Sequence, residues 1–266
     1  MSENRPTENV GHMSLDQARS LFTGPNAGSA GPTAGLVNKL LARSVEVPPI
    51  RFISLNGLVP YKEAQELQLK LVELRAHDLI PDTILFLEHT PVITRGRGLQ
   101  FTGEPRPRHM PAPPLIPEGM DFVESERGGD LTYHGPGQLV IYPICKLDGK
   151  GFGPNHDIGG FLRTLESLII AELAERGLSA ETRPNATGVW IGDKKIASIG
   201  IAVRKWVTYH GIAINCTNDL KPFFLISPCG FAPEVMTKMD ELVTQPENWR
   251  ADFEQRLVRR IQMQSP

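Results

Sequence analysis

Two residues in this sequence have the surroundings that covalent chemistry needs. They are Lys195, in Gly192-Asp193-Lys194-Lys195-Ile196, and Cys229, in Ser227-Pro228-Cys229-Gly230. A cysteine attacks as its thiolate, so it needs a positive charge or a helix N-terminus to lower a pKa that is otherwise about 8.5. Lys195 is the candidate charge, and Pro233-Glu234 opens a segment expected to be helical to about Val243, just beyond the thiol. A lysine against a thiol also acts as a base when the incoming nucleophile is an amine. The residues alone leave a second reading open: a cysteine is often a small buried hydrophobe and a lysine a solvated charge.

A second stretch, Arg127 to Gln138, carries four glycines (Gly128, Gly129, Gly135 and Gly137) with Arg127 and His134 as polar handles. Exposed backbone N–H groups and absent side chains let a ligand approach closely, although such a run also serves as a plain structural turn. It matches neither GxGxxG nor GxxxxGK[ST], so it is not one of the common phosphate loops. The tetrapeptide Thr-Tyr-His-Gly begins at Thr132 and again at Thr208, an echo too short to indicate duplication. His134 and His210 could each shape a pocket or satisfy a core hydrogen bond.

The elements that position these residues are legible in outline. Gly188 to Ile191 and Ile196 to Val203 are β-branched runs around Gly192-Asp193, the pattern of two strands and a tight turn. Val207 to Asn215 reads as a third strand, and small residues (Ser198, Gly200, Gly211, Ala213) leave room beside the lysine. Upstream, Arg51 to Leu55 and Thr83 to Glu88 read as strands, as does Leu139 to Ile144. Tyr61 to His77 has Ala64, Leu67, Leu71 and Leu74 at helical spacing. Gly96 to Glu118 holds Pro105, Pro107, Pro111, Pro113, Pro114 and Pro117, which forbids regular structure through most of it. Ile158 to Arg176 is expected as a helix capped by Asp157 and stopped by Gly177, and Trp249 to Gln264 as a closing helix. Cys145 and Cys216 fall in strand patterns and read as core. The fold class expected is α+β: a single catalytic domain over 48–266, with a mixed, largely antiparallel sheet and flanking helices.

Composition narrows the classes. The chain has 266 residues, 40% hydrophobic and 22% charged, with a net charge of −2 that gives no general attraction to nucleic acid. No apolar run approaches the roughly 20 residues of a membrane span. The 3 cysteines match no metal-ligand spacing and suit a reducing compartment. Residues 1–47 are polar and rich in Gly and Pro, so they are expected to be a mostly disordered extension. They lack the apolar core of a secretory signal, and Glu3, Glu8 and Asp16 do not suit a transit peptide, so a cytoplasmic location is expected.

Taken in order, RGGDLTYHGPGQL, GDKKIASIG, VTYHGIAIN, DLKPF and SPCG resemble the lipoyl(octanoyl) transferase family over roughly Arg51 to Asp240. The resemblance implies the catalytic module shared with biotin protein ligases and lipoate ligases. It implies that Cys229 is an acyl-thioester nucleophile and that Lys195 lowers its pKa. Acyl-substrate contacts would come from three stretches: Arg127, Gly128, Gly129, Asp130, Leu131, Thr132, Tyr133 and His134; Ser198, Ile199 and Gly200; and Gly211, Ile212 and Ala213. The donor would be octanoyl-acyl carrier protein. The acceptors would be lipoyl domains of 2-oxoacid dehydrogenase complexes and the glycine cleavage H protein. No cofactor, ATP or metal is implied, because a thioester is already activated. An ATP-dependent ligase on the same fold, or a non-catalytic module binding lipoyl domains, would be the alternatives. The N-terminal extension and the Pro-rich segment 97–118 depart from the family pattern.

Overall fold

The computed structural model describes residues 10–20, 50–98, 116–184, 186–226 and 232–264. Along the chain run β1 (Val10–Met13), α1 (Leu15–Ser20), β2 (Ile50–Val59), α2 (Tyr61–Ala76), β3 (Asp82–His89), β4 (Val92–Arg95), β5 (Asp121–Glu124) and β6 (Leu131–His134). Then follow β7 (Gln138–Ile144), α3 (Ile158–Glu175), β8 (Val189–Ile191), β9 (Lys194–Arg204), β10 (Val207–Asn215) and α4 (Trp249–Gln264). One seven-stranded sheet has the order β1-β2-β3-β7-β10-β9-β8, and a three-stranded sheet the order β5-β4-β6. Pairing is parallel from β1 to β3 and antiparallel from β3 to β8, so the large sheet is mixed and mainly antiparallel, as its short-range hairpins dictate.

Both faces of the large sheet are covered, which is why β7 reads as an unbroken apolar run and is buried along its whole length. On one face α2 packs Ala64, Leu67, Leu71 and Val72 against Ile53, Leu85, Val140, Tyr142 and Ala213. On the other, Phe161, Leu165 and Leu173 of α3 and Phe253, Leu257 and Ile261 of α4 cover Phe86, Ile141, Ile199, Ile212 and Ile214. At about 1.5–3 kcal/mol for each large side chain fully buried, these two layers are the main stabilising term. Helix α3 starts where the sequence places it: the Asp157 side chain accepts the Gly160 N–H at 2.7 Å, and Gly177, at φ 75°, ends it.

Three expectations differ from the structure. Residues 10–20 of the extension expected to be disordered form β1 and α1, with Val10 to Met13 paired in parallel to Phe52 to Leu55 and Ala18 fully buried. The open edge of β2 supplies hydrogen-bond partners that the short VGHM segment cannot provide for itself. Pro233 to Val243 is not an α-helix but two three-residue 3₁₀ turns, Pro233–Val235 and Met239–Glu241. Its backbone is held by the sheet instead, with the Thr237 N–H on the Lys195 carbonyl at 3.0 Å and the Asp240 N–H on the Cys216 carbonyl at 3.1 Å. No helix N-terminus therefore forms at Pro233-Glu234, and Lys195 is left as the candidate source of positive charge. On α2, Leu74 is only half-buried, and Val72 takes its place in the core.

Candidate active site

The glycine-rich stretch bridges the two sheets. Strand β6 ends at His134, the turn at Gly135 to Gly137 reverses the chain, and β7 begins at Gln138. Gly137 takes φ 83°, and its N–H donates to the Glu88 carboxylate at 2.6 Å. Arg127, 6% exposed, is aimed by Thr94: its Nη2 donates to the Thr94 carbonyl at 2.8 Å and to Oγ1 at 2.7 Å, and its Nε to Oγ1 at 3.2 Å. Gly128 lies against β9, its N–H on the Ile201 carbonyl at 2.9 Å. A Cβ on Gly200 would stand 2.7 Å from the Gly128 carbonyl oxygen, so glycine at 200 makes that close approach possible.

A cavity opens between this loop, the facing surface of β9 and β10, and the start of α2. Of the expected contacts, Arg127, Gly128, Thr132, His134, Ser198, Ile199, Gly200, Gly211, Ile212 and Ala213 line it, together with Tyr61, Val140, Tyr142 and His210. It offers about 30 Å³ to water-sized occupants. Gly129, Asp130, Leu131 and Tyr133 are not in the lining. Alternation along β6 turns Tyr133 the other way, edge-on to Phe223 in a separate cluster that Leu131 also joins, while the Gly129 and Asp130 carbonyls accept N–H groups from Gly98 and Gly96.

Behind the lining sits a group of buried rings. Tyr61 stacks on His134 and on His210, with centroids 5.9 and 6.3 Å apart, and His89 meets Tyr61, His134 and Tyr142. His210 joins because its φ is 57°, a left-handed conformation unusual for a non-glycine residue inside a strand. The Tyr61 hydroxyl lies 2.8 Å from Ser125 Oγ, which is 3.4 Å from His210 Nε2. Burial keeps the imidazoles neutral. It holds His89 down at about 4 and His210 at about 3, and it holds His134 well below 6.5 with help from His89 and Arg127. Burial likewise pushes the Tyr142 phenol well above 10. His89 is a scaffold residue: its Nδ1–H donates to the Val59 carbonyl and its Nε2 accepts from the Tyr142 hydroxyl, both at 2.7 Å. Sequence reasoning missed Tyr61, Tyr142, His89 and Ser125. The available signal was polar-tipped rings inside otherwise apolar segments, such as the tyrosine of QLVIYPI.

Lys195 is 3% exposed, with Nζ donating to the Thr187 carbonyl at 2.8 Å and lying 5.5 Å from the centroid of the Trp190 ring. Gly188, at φ 133°, clears the space: a Cβ there would meet Lys195 Cε at 2.5 Å and Nζ at 3.1 Å. Lys195 is not among the cavity-lining residues, and Cys229 lies outside the described residues. The other two cysteines are fully buried, and burial raises Cys145 well above the usual thiol range and Cys216 to about 12, so neither offers a thiolate.

Comparison with known proteins adds to this geometry. The family model described as the lipoyl protein ligase A/B catalytic domain matches residues 60–262. An octanoyltransferase of Syntrophobacter fumaroxidans is 41% identical over 188 residues, covering 70% of this chain and 78% of that protein. One of Geobacter metallireducens is 40% identical over 190 residues, covering 71% and 82%. One of Gloeobacter violaceus is 44% identical over 181 residues, covering 67% and 75%. Among solved structures, a lipoate-protein ligase A bound with ATP aligns with a TM-score of 0.55 at 17% identity, over 78% of this chain and 84% of that one. A bi-partite lipoate protein ligase of Thermoplasma acidophilum aligns at 0.52 and 17%, over 73% and 78%. At these identities the structural likeness speaks for the fold alone.

Proposed function

The chain belongs to the lipoyl protein ligase A/B catalytic domain family and is an acyltransferase that moves octanoyl groups in protein lipoylation; we propose that it does so through a thioester on Cys229. The acyl donor is octanoyl-acyl carrier protein. The Cys229 thiolate attacks the thioester carbonyl, the carrier thiolate leaves, and the Lys195 ammonium protonates it. The ε-amine of a lysine on a lipoyl domain then attacks the acyl-enzyme, passes a proton to Lys195 and releases Cys229 as thiolate, leaving an amide. The acceptors are lipoyl domains of 2-oxoacid dehydrogenase complexes and the glycine cleavage H protein, and residues 48–266 carry the machinery in the cytoplasm. Among the described residues no helix is long and apolar enough to cross a membrane.

The observation that carries this reading is the burial of Lys195. A cation 3% exposed, resting on a carbonyl and an indole face, is set where a thiolate beside it would be stabilised. The roles given to Arg127, His134, Ser198 and Ala213 as acyl-substrate contacts are supported by their meeting around one cavity. An ATP-dependent ligase would use free acid and nucleotide. The test is transfer to a purified lipoyl domain from octanoyl-acyl carrier protein without nucleotide. Full transfer is expected, and a requirement for ATP would overturn the reading.

A further inference from the structure

Between the glycine turn and the strand that carries Lys195 runs a line of buried amides with no part in the acyl-transfer steps. Gln138 and Asn215, each 1% exposed, face each other across β7 and β10. Gln138 Nε2 donates to the Tyr133 carbonyl at 3.1 Å and to Asn215 Oδ1 at 3.0 Å, which turns Oε1 to His134 Nδ1 at 2.8 Å. A carboxamide oxygen only accepts, so Nδ1 carries the proton. Asn215 is fixed in turn. Its Nδ2 donates to the Thr237 carbonyl at 3.0 Å, its Oδ1 also accepts from Asn218 Nδ2 at 3.1 Å, and the Thr237 N–H donates to the Lys195 carbonyl.

We propose that Gln138 and Asn215 are positioning residues that hold His134 as the Nδ1–H tautomer, so that Nε2 meets the substrate as a hydrogen-bond acceptor and takes an N–H or O–H of the donor or of the incoming amine. Turning the Gln138 amide over would set its oxygen against the Tyr133 and Asn215 oxygens, taking the Gln138 donor from both and leaving Asn215 Oδ1 with Asn218 Nδ2 alone. Asn215 cannot turn to receive it, because its own Nδ2 is committed to Thr237. The ring is neutral, so only one of its nitrogens holds a proton and the choice of nitrogen decides what the ring can bind. The same line of hydrogen bonds ends on the backbone of Lys195, tying the histidine and lysine sides of the site to one another. What the substrate is rests on the acyl-transfer reading; the tautomer is a property of the resting protein.

Long-range ¹H–¹⁵N correlation on histidine-labelled full-length protein reads this directly, with the His134 signals identified by their loss in His134→Asn. At pH 7 the expected pattern is a protonated Nδ1 and a bare Nε2. In Gln138→Met and in Asn215→Leu, each checked for folding by circular dichroism, the two tautomers should mix. In Gln138→Met, kcat/KM for octanoyl transfer should fall roughly tenfold, the effect of losing about one hydrogen bond to a buried group. An Nε2–H or doubly protonated ring in the unmodified protein overturns the proposal, as does a folded Gln138→Met that keeps the single tautomer. A folded Asn215→Leu that keeps it removes Asn215 from the proposal. The expected tautomer in a protein that fails to transfer octanoyl would sink the acyl-transfer reading and leave this one standing.

Discussion

At Gly188 the absence of one carbon decides where a lysine can lie. A Cβ would collide with Lys195 Cε and with the Ala197 carbonyl, each at 2.5 Å, and the φ of 133° adds strain of roughly 1–3 kcal/mol for any other residue. We expect Gly188→Ala to fold with reduced stability and to slow iodoacetamide alkylation of Cys229 at neutral pH. Lys195→Ala should slow it in the same way, because in either case the thiol returns toward its ordinary pKa of about 8.5. Alkylation at the unmodified rate in Lys195→Ala would take the lysine out of the mechanism. In the sequence Lys195 stood out as a candidate beside a tight turn, but its residue type and spacing alone left it open as a solvated charge, and Gly188 looked like no more than the start of a strand. His210 was ambiguous for a physical reason: strand spacing fixes which face a residue takes only while φ stays extended, and here φ is 57°. Tyr61 escaped because its partner, Ser125, lies 64 residues further on, in the loop after β5.

At the level of elements, the last two strands of the hairpin β8–β9–β10 build one wall of the cavity, and their small residues serve different ends. Ala213, packed with Val140 and Tyr142, faces the slot, whereas the missing side chain of Gly200 admits the Gly128 backbone and that of Gly211 admits the Ile141 carbonyl and Pro143. Ala213→Leu should therefore fill acyl space and shift preference toward shorter donors, each lost methylene contact being worth about 0.8 kcal/mol. Cys229 alkylation should stay unchanged. Gly200→Val should instead displace the Arg127–Gly128 segment and depress all donors alike. Rates across a series of acyl chain lengths separate these outcomes, and a uniform loss in Ala213→Leu would show that the residue does not border the chain. The hairpin could be read from Gly192-Asp193 and its β-branched flanks. β1 could not, since its four residues become a strand only by pairing with β2, and the segment from Pro233 is held by backbone bonds to Lys195 of β9 and to Cys216 just past β10 that no local pattern records.

Across the whole molecule, the ring cluster behind the cavity couples folding to pH. His89 and His210 are neutral in the folded protein, at about 4 and about 3, but titrate near 6.5 when unfolded. The unfolded chain therefore takes up protons that the native one refuses as pH falls from 6.5 toward 4, and stability present above 6.5 is lost through that window. We expect urea unfolding at pH 5 to show about 2 kcal/mol less stability than at pH 7 for each of these histidines. The difference should shrink in His89→Gln, and equal stability at the two pH values would show that these rings are not held neutral. All of this surrounds one central claim, that the acyl group passes through Cys229. Intact-mass analysis after incubation with octanoyl-acyl carrier protein tests it most directly. The account predicts a single octanoyl adduct on the unmodified protein, discharged by a lipoyl domain and missing from Cys229→Ser. No adduct on the unmodified protein, or an adduct that persists in Cys229→Ser, would contradict it.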